Sequence, residues 1–276
     1  MESPEPCQEV RDPRARAVLD SITSLQTHAR SPSVTLSPMT AEPEPSDKRR
    51  SEIQGMFNAV APRYDLLNRL LSARQDVIWR RTAAQALELA PESLVLDLCC
   101  GTGDQALAVQ LQQSQVVAID FSLAMLELAV SKFRRAGSAA PIAVAGDSLA
   151  LPVPSRRFAG ITVAFGLRNV ENLQLALREM LRVLETGGRA VILEFAIPEG
   201  QFLRPLYLAY FRHILPRVGR WISPRGSAYG YLRDSVMHFP QRQAFAQEMH
   251  RAGFSNATWQ DLSGGIVCLY RGIRST

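Results

Sequence analysis

The sequence predicts a doubly wound α/β domain, and three observations carry that prediction. Apolar runs at 94–99, 116–120, 142–146, 158–165 and 188–195 alternate with helix-period segments near 104–113, 122–136 and 171–184. The first run delivers Asp97 and turns on Gly101-Thr102-Gly103. The second closes on another acid, Asp120. A strand, a glycine turn, a helix and a strand ending on a carboxylate form a nucleotide-type pocket at the carboxyl edge of a parallel sheet.

Residues 1–46 are rich in Ser, Pro, Thr and Glu and are expected to be a disordered extension. They hold seven acids, too many for an organellar transit peptide, and residues 1–20 lack the apolar core of a secretory leader. A single domain is expected over 47–276, opening with three helices. Asp47 can cap the first, which carries Ile53, Met56, Phe57 and Val60. Pro62 interrupts it, Tyr64 to Asn68 starts the second, and Trp79-Arg80-Arg81 begins an Ala-rich third. After the first strands and helices, Gly187-Gly188 is expected to stop a helix ahead of the fifth strand. Strands at 257–262 and 264–272, joined through Ser263, form a final hairpin with one antiparallel strand.

Residues 200–250 form an expected helical insertion. Acids are absent from Gly200 to Arg233, where Arg204, Arg212, Arg217, Arg220 and Arg225 interleave with Phe202, Tyr207, Tyr210, Phe211 and Trp221. This is either a packed amphipathic helix with a solvated basic side or a surface that meets anionic lipid and admits an apolar ligand.

The chain carries a formal +5; the first 46 residues are net −3, which leaves +8 on the folded part. That balance fits an anionic surface or ligand and decides nothing by itself. No apolar run approaches the roughly 20 residues that span a bilayer. Cys7, Cys99, Cys100 and Cys268 lack metal-ligand spacing and read as reduced thiols in a reducing compartment.

Two ligand classes compete for the glycine turn. Gly101, Gly103 and Ala106 also satisfy a permissive dinucleotide fingerprint. Asp97 tips the balance, because a carboxylate at the mouth of the turn would repel a pyrophosphate. S-adenosylmethionine has no phosphate, and its sulfonium and amino group tolerate acids. Gly101 and Gly103 then admit the methionyl part, Asp120 takes the ribose hydroxyls, and Asp147-Ser148 sit where the adenine amino group would be met.

At Phe165-Gly166-Leu167-Arg168-Asn169 the sequence resembles the ubiquinone/menaquinone biosynthesis C-methyltransferase family. The likeness includes Tyr64 to Asn68, Trp79 to Arg81, Asp97 to Asp104, Leu177 to Met180, Leu193-Glu194-Phe195, Tyr229 to Leu232, Ala252 to Phe254 and Leu262 to Val267. It covers roughly 48–274. The resemblance implies a Rossmann-like class I methyltransferase with a mostly parallel seven-stranded sheet and a final antiparallel strand. It implies transfer of a methyl group from S-adenosylmethionine to a ring carbon of a prenylated quinol, typically demethylmenaquinol becoming menaquinol. The alternatives are a methoxy-polyprenyl-benzoquinol acceptor, a sterol or other small apolar acceptor, and a non-catalytic scaffold in quinone synthesis.

By position, the family's donor contacts fall on Thr102, Asp120, Asp147 and Ser148. Ala164 replaces a frequent Ser, and Asp76 replaces a frequent His. Arg168 is the first candidate to stabilise the reacting oxygen, with Asn169, Tyr64 and His238 orienting the ring. The resemblance implies no metal. A cytoplasmic protein is expected, touching the inner membrane face peripherally and able to form a homodimer. No Asn/Asp-Pro-Pro-aromatic motif points to nucleic acid.

Overall fold

The computed structural model describes residue 20 and residues 45–137, 140–214 and 227–275. The expected extension therefore lies almost wholly outside the described residues, as do Cys7, Arg217, Arg220, Trp221 and Arg225.

The chain opens with helices α1 (Pro45–Val60), α2 (Tyr64–Leu71) and α3 (Gln75–Gln85), with a short 3-10 turn after α1. The alternating part follows as β1 (Leu94–Leu98), α4 (Asp104–Gln110), β2 (Gln115–Asp120), α5 (Leu123–Arg135), β3 (Ile142–Ala145) and β4 (Phe158–Ala164). It continues with α6 (Leu173–Val183) and β5 (Leu184–Phe195), then α7 (Leu203–Ala209), α8 (Ser227–His238), α9 (Gln243–Ala252), β6 (Ser255–Leu262) and β7 (Val267–Ile273).

Seven strands form one sheet in the order β3-β2-β1-β4-β5-β7-β6. All neighbours are parallel except β7, which runs antiparallel to both β5 and β6. Every residue of β1 is buried, as helices on both faces of a parallel sheet require. Pleat alternation divides the side chains between two cores. Leu94, Leu96, Leu98, Val117 and Ile119 join Ala176, Leu177 and Met180 of α6 and Phe245 and Met249 of α9. Val95, Val116 and Ala118 join Trp79 and Ala83 of α3, Ala106 and Val109 of α4, and Ala129 and Phe133 of α5. The strand order reverses between β1 and β4, and the crevice at their carboxyl ends is where an open α/β sheet binds ligands.

Three expectations are corrected. Gly187-Gly188 does not stop the helix: α6 ends at Val183, and β5 runs through both glycines. Leu184 pairs with Phe158 and Arg189 with Gly160, so the intervening residues bulge out and Gly187 takes φ +82°. The third helix starts at Gln75, four residues early, after Arg74 in the left-handed region. The insertion is shorter than 200–250, because Phe245, Ala246 and Met249 of α9 are buried in the sheet's own core.

Gly103 is fixed by packing and backbone together. It has φ +84°, and a Cβ there would stand 2.5 Å from the Phe133 ring on α5. Gly103→Ala is expected to lower stability by about 2–4 kcal/mol, read as a drop in the urea midpoint. An unchanged midpoint would contradict this packing. Among the described residues no helix is long and apolar enough to cross a membrane.

Candidate active site

The strands β1, β2 and β4 all stop at the same edge, and the residues that leave them form the site. Cys99 departs β1 with φ +54° and Phe165 departs β4 with φ +64°, values unusual for side chains of that size. Gly166 makes their approach possible, since a Cβ on it would lie 2.4 Å from the Cys99 Cβ. Strained backbone of this kind gathers at functional sites.

One cavity lies over the ends of β1, β2 and β3. Gly101, Thr102, Asp120, Asp147, Ser148 and Ala164 line it, together with apolar Ile119, Phe121, Met125 and Leu149. Asp120 organises the turn: its Oδ2 accepts the Gly101 N–H at 2.8 Å and its Oδ1 the Ser122 N–H at 2.9 Å. Burial raises its pKa against the pull of these N–H groups. Asp147 Oδ1 accepts the Leu149 N–H at 3.0 Å, closing the loop after β3. At Gly101 a Cβ would meet nothing within 4 Å, and φ is +55°, so the turn leaves open space in the cavity.

Two of the candidate donor residues stand elsewhere. Asp97 lines neither this cavity nor the larger one beside it. It is fully buried on the Val95 side of β1, and burial pushes its pKa up to about 8 despite Arg80 nearby. It therefore lies within the core and not at the mouth of the turn. Gly103 is also outside the lining, serving the packing on Phe133 instead.

The second cavity, about 400 Å³, adjoins the first and is chiefly apolar. Leu67, Leu71, Phe195, Leu203, Leu206 and Tyr207 form much of its wall. Tyr64, Arg80, Phe165 and Asn169 face both cavities, while Arg168 faces the second. Asn169 Oδ1 is buried without a donor, and Arg168 Nε is buried without an acceptor. His238 does not join them: it is exposed and its Nδ1 lies 2.7 Å from the Asp234 carbonyl.

Arg168 is clamped from one side. Its Nη1 donates to Glu194 Oε2 at 2.9 Å and to the Phe165 carbonyl, while its backbone N–H donates to Glu194 Oε1 at 3.2 Å. Glu194 is 0% exposed. The Phe165 and Phe195 rings stack at 4.4 Å, with Arg80 over the outer face of one and Arg168 over the other, each 5.3 Å from the ring centre. The row reads guanidinium, ring, ring, guanidinium, a favourable order for cations on π faces. Trp79 packs edge-on against both rings and donates its Nε1–H to Ser263 Oγ at 2.8 Å.

The three N-terminal helices cover this edge and are tied to it by charge. Thr102 Oγ1 donates to Asp65 Oδ1 at 2.6 Å, and Lys132 bridges Asp65 and Asp104, each at 2.6 Å. Arg69 reaches Asp104 at 2.8 Å and also pairs with Asp76, which accepts the Ser72 hydroxyl. Burial would raise the Asp104 pKa, but Lys132, Arg80 and Arg69 outweigh it and hold the group below its ordinary value. Asp76 thus serves this network while lining the second cavity.

Sequence reasoning overlooked Glu194 and Arg80 as functional groups. An acid inside the run Val191 to Phe195 was the available signal, since a strand acid buried on both faces needs a cation. Arg80 in an Ala-rich helix gave no comparable one.

The family model for the ubiE/COQ5 methyltransferase family matches residues 45–274. A demethylmenaquinone methyltransferase from Streptomyces avermitilis is 39% identical over 229 residues, covering 83% of this chain and 97% of that one. A ubiquinone/menaquinone biosynthesis C-methyltransferase from Syntrophotalea carbinolica is 45% identical over 222 residues, covering 80% and 93%. Among solved structures, a SAM-dependent methyltransferase from Thermotoga maritima superimposes with a TM-score of 0.57 at 17% identity, covering 80% and 99%. The [4+2]-cyclase SpnF superimposes at 0.55 with 21% identity, covering 82% and 80%, so the same fold also carries other chemistry. With a family model spanning nearly all the described residues, the chain belongs to the ubiE/COQ5 methyltransferase family.

Proposed function

We propose that this chain methylates a ring carbon of a prenylated quinol with S-adenosylmethionine, and that demethylmenaquinol is the acceptor. The observation that carries the proposal is a cavity at the glycine turn edged by Asp120, Asp147 and Ser148 and a chiefly apolar cavity beside it, with Tyr64, Phe165 and Asn169 in their common wall. The names of the relatives favour the menaquinone acceptor over the benzoquinol.

The first cavity suits the donor: open space at Gly101, a carboxyl at the end of β2 for ribose hydroxyls, and apolar walls for a purine. When bound, S-adenosylmethionine supplies an electrophilic methyl group. Thr102, Asp120, Asp147 and Ser148 position the ligand, and the shared wall sets the line from one cavity into the other.

The acceptor must be reduced, because a quinone ring is electron-poor. Loss of a phenolic proton to water places electron density on the adjacent ring carbon, which bonds the methyl carbon as the bond from that carbon to sulfur breaks. S-adenosylhomocysteine leaves, and the ring carbon's own hydrogen passes to water as a proton, which restores the aromatic quinol. In this reading Arg168, which lines the apolar cavity, stabilises the phenolate oxygen, and Asn169, in the wall shared by both cavities, accepts a hydrogen bond from the other hydroxyl. Tyr64 presents its ring at the junction. Leu206 lines the apolar cavity and is itself exposed, as are Leu66 and Leu70 of α2 and Phe202 just ahead of α7, which is 84% exposed. This apolar edge gives the prenyl chain a route to a membrane surface, with the protein associated peripherally.

Incubation with labelled donor and each quinol under reducing conditions tests the reading. Label in demethylmenaquinol supports it; label only in the benzoquinol moves the acceptor, and label in neither overturns it. Asp120→Ala is expected to weaken donor binding about 10- to 100-fold by calorimetry. Unchanged affinity would remove the ribose contact.

A further inference from the structure

Arg80 is a buried cation whose charge reaches Asp97 and Asp104 without an ion pair to either. It is 7% exposed, it lines both cavities, and its Nε meets no acceptor. Among the described residues no carboxylate forms an ion pair with it. The two acids whose charge acts on it or through it are already accounted for. Burial pushes the Asp97 carboxyl up to about 8, and Asp104 is engaged by Lys132 and Arg69. The Phe165 ring at 5.3 Å fixes the plane of the guanidinium and offers it a π face, yet a ring does not satisfy N–H groups as an oxygen does.

A guanidinium held in this way calls for an anion brought by a ligand. In the first cavity, adenine and ribose are neutral, while the sulfonium and amino group are cationic. The only anion the donor carries is its α-carboxylate. Gly101 and Thr102, where the methionyl part is expected, line the same cavity as Arg80. We propose that Arg80 anchors the donor's α-carboxylate; this rests on the reading of the first cavity as the methyl-donor site.

The carboxylate does not change during transfer, so Arg80 grips donor and demethylated product alike. It governs affinity and leaves the chemical step largely alone, which is uniform binding. It also makes the site selective for donors that keep the carboxylate. Arg80 and Arg168 then divide two tasks across the Phe165–Phe195 stack: the first holds the donor, the second faces the acceptor.

Calorimetric titration of wild-type, Arg80→Lys and Arg80→Gln protein tests this with two ligands, S-adenosylmethionine and its decarboxylated analogue. The analogue keeps the sulfonium and amino group and lacks only the carboxylate. Wild type is expected to prefer the carboxylated ligand about 30-fold or more, and Arg80→Gln by less than about 3-fold. Arg80→Lys should fall between, because an ammonium cannot match the planar fork. Each preference is a ratio within one preparation, so a partly unfolded variant still reports it. A wild type that binds both ligands equally, or an Arg80→Gln that keeps the full preference, overturns the anchor and leaves the donor site standing. A wild type that binds neither ligand overturns both.

Discussion

Replacing Arg168 by alanine is expected to lower turnover about 100- to 1000-fold while donor affinity stays within about threefold. Arg168 lines the second cavity and has no place in the lining of the first. Its removal should therefore act on the acceptor's oxygen and spare the donor. Arg168→Lys restores a positive charge but not the geometry, since the ammonium cannot donate to Glu194, the Phe165 carbonyl and the cavity from fixed directions. Single-turnover measurements with saturating donor separate the outcomes. Lost donor affinity with normal turnover of the bound complex would sink the assignment.

Glu194→Ala is expected to destabilise the protein by about 3–5 kcal/mol, because it strands a buried guanidinium. Glu194 touches neither cavity, so it acts as a positioning residue through Arg168. A pairwise replacement, Arg168→Met with Glu194→Leu, separates structure from chemistry. A buried ion pair exchanged for apolar groups of similar volume often costs little, so the double variant should regain most of the lost stability. Turnover should stay at the level of Arg168→Ala. Recovered turnover in the double variant would show that the pair is only a fold contact. Urea denaturation and a kcat measurement on the same samples read both halves.

The sheet was legible in the sequence because its strands are near-continuous apolar runs, the pattern that two covered faces impose. Gly187-Gly188 misled because a helix stop and a β-bulge use the same residue. Only the pairing of Leu184 with Phe158 distinguishes them. Asp97 misled for a reason of period. Spacing from the glycine turn says how near the residue is along the chain, whereas the pleat decides which face it takes, and Asp97 shares the face of Val95. Thr102, Asp120, Asp147 and Ser148 line one cavity as their positions suggested, since each lies at or just after a strand end. Arg80 and Glu194 gain significance only once α3 docks over β4 and β5, a contact that local sequence cannot announce.

The two cavities also differ in when they can come into being. The donor side draws on β1, β2, β3 and the residues that follow β4, a stretch that ends at Glu171. The wall of the acceptor side is closed by bonds of far greater span. Trp79 and Gln75 reach Ser263 across 184 and 188 positions, and Tyr210 reaches the Leu71 carbonyl across 139. During synthesis the helices that roof the apolar cavity emerge first, yet they find their last partners only with the final hairpin. Until then Phe57, Leu67, Trp79 and their neighbours have no finished wall to cover. The nascent chain thus carries these apolar residues without their final cover for most of its translation. That interval is when aggregation competes with folding and when a chaperone has most to shield.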